Sequence, residues 1–190
     1  MKKLTPADYL HMPWKNGAGT TIEIAVFPPG AQLHDFVWRV SRAQVVCDGS
    51  FSHFDGIERT LALLQGEGMR LNVDGKPMQV DAQQPVISFA GDAEIHAELL
   101  NGPIGDFNLM SRRSRATHQL HRWTGVTELS LPQATVLLYC AQGSGSVQQG
   151  TQHLPLQTDE AVLLSASPLP TTLQSNADSV FYAVQINLNA

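Results

Sequence analysis

Two stretches of this chain repeat one order of elements. "LALLQGEGMRLNVDGKPMQVDAQQPVISFAGD" runs as apolar strand, Gly66-x-Gly68 turn, hairpin, polar turn and apolar strand, and "VLLYCAQGSGSVQQGTQHLPLQTDEAVLLSAS" follows that order around Gly143-x-Gly145. The runs are short, rich in Val, Ile, Leu and aromatics, and bounded by Gly, Pro, Asp and Asn, as strands are. Two tandem antiparallel β-units are therefore expected, as small sandwiches or barrels packed against each other.

The same pattern fills most of the remaining chain: "IEIAVF", "FVWRVSRAQVV", "AEIHAELL" and "VFYAVQINL" all read as strands. Asp74-Gly75 suits a tight hairpin turn between "MRLNV" and "KPMQV". One short N-terminal helix is expected in "LTPADYL", where Thr5 can cap, Pro6 takes the first helical position and Asp8 faces the positive end of the dipole. The expected class is all-β: a first unit over residues 1–110, a basic connection over 111–126 ("MSRRSRATHQLHRWTG" lies across it), and a second unit over 127–190.

Composition narrows the function. Twelve Lys+Arg against seventeen Asp+Glu leave a formal charge of -5, which gives no general attraction to nucleic acid or anionic membrane. The opening residues hold no apolar run of signal-peptide length, and no stretch reaches the roughly 20 apolar residues of a spanning helix, so a cytoplasmic address is expected. Cys47 and Cys140 lie in or beside strand-like runs and read as buried or half-buried thiols in preference to a disulfide.

Polar residues inside the strand runs are the candidates for chemistry. Alternation puts Asp106, Asn108 and Met110 of "DFNLM" on one face and Phe107 and Leu109 on the other. Arg39 and Ser41 share a face in "VWRVSRA", and Glu23 lies between two isoleucines in "TIEIAVF". Pointing inward, such groups need hydrogen-bond partners from protein or ligand; pointing outward, they need only water. Alternation alone leaves both readings open. "MPWKNGAG" adds a surplus: a turn requires its asparagine and glycines but not Trp14 or Lys15.

"MPWKNGAGTTIEIAVFP", "WRVSRAQVVCDGSFSHFDGIERTLALLQGEGMRL" and "NGPIGDFNLMSRR" occur in that order and resemble the signature stretches of the HutD/Ves family, bacterial proteins with a duplicated cupin-like β-barrel. The resemblance implies a bicupin; no metal or other cofactor is expected, because no His-x-His pair occurs in the chain. It also implies a small-molecule binding protein linked to histidine utilisation, with formylglutamate a candidate ligand. On that reading Lys15, Arg39 and Arg59 supply donors for a carboxylate, Asn16 and Asn108 read an amide or carbonyl, and Trp14 walls off an apolar part of the ligand. Glu23, Ser41 and Asp106 complete the ligand-binding set. The expected partner is a small polar or carboxylate ligand, and an edge of the second repeat is where a second copy would pair to form a homodimer.

Enzyme signatures are weaker. Many cupins hold a metal through His-x-His, yet His53 stands alone in the matching neighbourhood, and His118 and His121 lack a carboxylate or thiolate companion. "NGAGTT" and "QGSGSV" do not continue into a phosphate loop, and no serine sits in a Gly-x-Ser-x-Gly elbow. The alternative to a binding protein is an isomerase- or lyase-type enzyme in the same pocket, with Glu23 or Asp106 as general base.

Overall fold

The computed structural model describes residues 1–14, 19–125, 128–165 and 167–189. Its first strands are β1 (Lys2–Leu4), β2 (Leu10–Pro13), β3 (Gly19–Phe27), β4 (Trp38–Val45), β5 (Gly49–Ser50), β6 (Ile57–Gln65), β7 (Gly68–Val73), β8 (Lys76–Asp81), β9 (Val86–Ala90), β10 (Ile95–Leu99) and β11 (Ile104–Arg112). The remainder are β12 (Ala116–Thr124), β13 (Leu129–Ser130), β14 (Thr135–Gln142), β15 (Ser144–Gln149), β16 (Gln152–Gln157), β17 (Ala161–Leu163), β18 (Thr171–Ser175) and β19 (Val180–Leu188). The protein is all-β.

Two compact units emerge. The first holds Leu10–Thr117 and the last residues from Leu188; the second holds Met1–Tyr9 and His118–Asn187. In the first, a six-stranded sheet ordered β2-β3-β4-β11-β6-β9 accompanies a four-stranded sheet ordered β5-β10-β7-β8. In the second, the orders are β1-β17-β14-β19-β12 and β13-β18-β15-β16. Strands β4 to β11 therefore map one for one onto β12 to β19, so the sequence repeat is a repeat of topology.

Each unit buries its own core. In the first, Val45, Leu61, Ile87 and Phe89 of the six-stranded sheet cluster with Met69, Leu71, Ile95 and Ala97 of the four-stranded sheet. In the second, Leu138, Cys140, Val162, Phe181 and Ala183 cluster with Val147, Leu156 and Leu173. The Asp74-Gly75 hairpin is present: Val73 pairs with Lys76, and both turn residues have positive φ, 50° and 78°.

Four expectations need correction. The N-terminal helix is a single 3-10 turn over Pro6–Asp8, and the described residues contain no α-helix. The Asp8 carboxylate accepts from both the Thr5 amide and Oγ1, so the start signal is satisfied within one turn, and Tyr9 is already extended. Residues 1–9 belong with the second unit, because β1 pairs with β17 and the Tyr9 hydroxyl donates to the Asp159 carbonyl at 2.7 Å. Most of the expected connection over 111–126 is strand β12, in which Ala116, His118 and Leu120 are at least half-covered while Thr117, Gln119 and Arg122 are exposed. Finally, Cys140 is buried but Cys47 is exposed; both thiols are free.

Candidate functional site

The first unit's six-stranded sheet lines up side chains across its strands. Arg39 of β4 faces Met110 of β11, which faces Arg59 of β6; one step along, Ser41 faces Asn108, and beyond that Ala43 faces Asp106. Strand alternation puts this set on the face that carries Val45, Leu61 and Phe89 of the core. The polar residues of "VWRVSRA" and "DFNLM" thus point inward at one end of an otherwise apolar interior.

There they surround a cavity of about 580 Å³, lined by Arg39, Ser41, Arg59, Asp106, Asn108 and Trp14 together with apolar groups that include Phe51, Phe54, Leu33 and Met110. Trp14 is fixed at the wall: its indole N–H donates to Thr21 Oγ1 at 2.8 Å and its amide to the Gly19 carbonyl at 2.9 Å. Gly19 is glycine because of space. A Cβ there would lie 2.2 Å from the Gln44 carbonyl oxygen and 3.0 Å from the Trp14 ring, so β4 and Trp14 approach this closely only with the side chain absent. Lys15 and Asn16 lie outside the described residues.

The two arginines differ. Arg39 is held by Glu23, whose Oε2 accepts from Arg39 Nε at 2.6 Å, so Glu23 is a paired carboxylate at the edge of the site and does not line the cavity. Arg59 is only 5% exposed, and its Nε and Nη1 have no hydrogen-bond partner. Its guanidinium lies 5.2 Å from the ring centres of Phe51 and Phe89 and 5.5 Å from that of Phe54. The negative faces of those rings hold the cation in place. They supply no acceptor for its N–H groups. Burial pushes the guanidinium down to about 10, with Asp106 opposing the shift and Arg39 adding to it.

Asn108 Oδ1 is also buried without a partner. Asp106 is 3% exposed, and no hydrogen bond from a described residue reaches its carboxyl. Burial pushes that carboxyl up to about 7, with Arg59 pulling the other way. Buried polar atoms normally find partners, yet Arg59 and Asn108 bring three unpartnered polar atoms to one cavity, with the Asp106 carboxyl beside them. Among the described residues no histidine lines it, and no cluster of three or more His, Cys, Asp or Glu could hold a metal.

Sequence reasoning missed Phe51 and Phe54. They follow a Gly-Ser bridge strand in "DGSFSHF", where no periodicity predicts direction, and only the aromatic spacing beside Arg59 hinted at them. The second unit lacks the set. Aligning Gly66-x-Gly68 with Gly143-x-Gly145 puts Leu138 at Leu61 and Cys140 at Leu63, and their neighbours across the sheet, Ala183 and Phe181, stand where Asn108 and Asp106 stand in the first unit. Val136 takes the place of Arg59. The interior is filled there, as the low charge of "SVQQGTQHLPLQ" leads one to expect.

Fold and pocket together define a cupin-like all-β protein in which a cavity of mixed polar and apolar lining opens off one core. The HutD family model matches residues 6–182, and the chain belongs to that family. It is 40% identical over 141 residues, 74% of each chain, to an uncharacterized 21.2 kDa protein in the hutC 3′ region of Pseudomonas putida. It is 43% identical over 104 residues to protein Ves of Citrobacter koseri, an alignment spanning 54% of this chain and 53% of the other. The solved structure of HutD from Pseudomonas fluorescens SBW25, in a formate condition, superposes with a TM-score of 0.82 at 29% identity, covering 100% of this chain and 99% of that one. Escherichia coli YlbA shares the fold alone, at 11% identity and a TM-score of 0.71 over 96% of this chain and 89% of that one. Among the described residues no helix is long and apolar enough to cross a membrane.

Proposed function

We propose that this protein is a bicupin that binds a compact carboxylate in the first unit's cavity without a metal, and that it acts as a metabolic moderator, with formylglutamate a candidate ligand. One observation carries the reading: Arg59 is buried in the cavity wall with two N–H groups unpartnered. A guanidinium presents parallel donors that match the two oxygens of a carboxylate. Asn108 Oδ1 then accepts from an N–H or O–H of the ligand, and Trp14, Phe51 and Phe54 cover its apolar part. The family membership and the likeness to a HutD structure support the same assignment.

A thermal-shift screen against formate, formylglutamate and other small carboxylates and amides tests it. A ligand at a hundred times its dissociation constant adds about 2.7 kcal/mol to the native state. Arg59→Gln should remove that shift; retention of the full shift in the variant would overturn the assignment.

A further inference from the structure

We infer that a carboxylate entering this pocket brings one proton with it, and that the proton binds Asp106. The inference rests on the binding reading above and adds the charge state in which the complex forms.

Charge balance carries the argument. Among the described residues the cavity is served by two guanidinium groups and two carboxyl groups. Arg39 and Glu23 neutralise each other directly, at 2.6 Å. Arg59 and Asp106 remain, on adjacent strands β6 and β11, attracting each other through the cavity without a hydrogen bond between them. With both ionised, the charged groups of the described residues around the cavity sum to zero. A ligand carboxylate that takes Arg59 adds a negative charge beside two nearly buried groups and takes up the counter-charge that, among the described residues, helps Asp106 ionise. Two carboxylates sharing one cation in a desolvated site do not both stay charged. Asp106 is the partner that takes the proton, because it is the one without a hydrogen bond and is buried to 3% exposure.

The step is a protonation only: the ligand enters as RCOO⁻, one proton from solvent adds to a carboxyl oxygen of Asp106, and no covalent bond breaks. The neutral carboxyl gains an O–H that can donate to the ligand or to water beside it. Among the described residues, the charged groups that line the cavity with Asp106 are Arg39 from β4 and Arg59 from β6, with Asn108 on its own strand; Glu23 on β3 pairs with Arg39 outside the lining, and His53 pairs outside it with Asp55 at 2.9 Å. Asp106 is therefore the one carboxyl among the described residues that line the cavity. By linkage, anion affinity should be level at low pH and fall tenfold per pH unit above the carboxyl's own titration.

The test titrates the full chain with sodium formate, a monoanion, between about pH 5 and 9, following the side-chain resonances of Asn108 and Arg59 and the Asp106 carboxyl carbon by NMR. The expected result is a formate dissociation constant that rises about tenfold per pH unit above pH 7. The Asp106 titration should also move upward when formate is present. In Asp106→Asn the slope should vanish, but the wild-type titration alone decides. Formate that perturbs the pocket with the same affinity at every pH overturns the proton coupling and leaves the binding assignment standing. Failure of formate and of formylglutamate alike to perturb Arg59 or Asn108 overturns the binding assignment, and the coupling with it.

Discussion

Arg59 makes the empty protein less stable than its fold allows. A buried cation with unpartnered N–H groups carries a desolvation penalty of several kcal/mol, and three phenyl rings offset only part of it. Methionine has similar length, no charge, and packs well against aromatic rings. Arg59→Met should therefore raise the stability of the unliganded protein by about 1–2 kcal/mol while abolishing carboxylate binding. Urea unfolding with and without formate measures both; a destabilised variant would show that Arg59 serves the fold more than the site. Asp106 gives the matching pH dependence. Its carboxyl titrates at about 7 when folded against 3.8 ordinarily, so the fold favours the protonated form. The stability this contributes is fully present below about pH 4, is lost as pH rises toward 7, and changes no further above that. Relative to wild type, Asp106→Asn should gain about 4 kcal/mol between pH 4 and pH 8. An unchanging difference across that range would place the carboxyl's titration elsewhere.

Elements position these residues, and the sequence revealed elements unevenly. Strands of the first unit were legible because their covered face is apolar or carries a polar set at strict alternation, as Asp106, Asn108 and Met110 do. Which face of "DFNLM" met the interior was not legible: Phe107 and Leu109 are as deeply buried as Met110, so hydrophobicity does not distinguish the two sides. Strand β12 was hidden for a different reason, since its covered face includes His118, held neutral by burial with its titration pushed down to about 4. Proline at the first helical position and a good cap marked a start at Thr5, but start signals do not set length. The β3–β4 pairing offers a test at this scale. Gly19 faces Val45 across the pair, with no room for a Cβ beneath the Gln44 carbonyl. Gly19→Ala must displace backbone, so it should cost about 2 kcal/mol or more and loosen the Trp14–Thr21 hydrogen bond. Equal denaturation midpoints for variant and parent, with unchanged tryptophan fluorescence, would count against that close approach.

At the scale of the whole molecule, duplication yields two units with one topology and different interiors. The repeat preserves the Gly-x-Gly turns and the strand order, while Asp106, Asn108 and Arg59 correspond to Phe181, Ala183 and Val136. An apolar filling gives a unit nothing with which to recognise an anion, so ligand energy should enter through the first unit. Each unit also has a separate core, and local opening free energies differ between such regions. Native-state hydrogen exchange can therefore show where binding is felt. With ligand at a hundred times its dissociation constant, amides of β4, β6 and β11 should exchange about a hundredfold more slowly, the equivalent of about 2.7 kcal/mol. Amides of β14 and of β19, which carries Ala183 and Phe181, should keep their rates. Equal slowing in both sets would mean that the two cores open as one, and slowing confined to β14 and β19 would move the ligand out of the Arg59 cavity altogether.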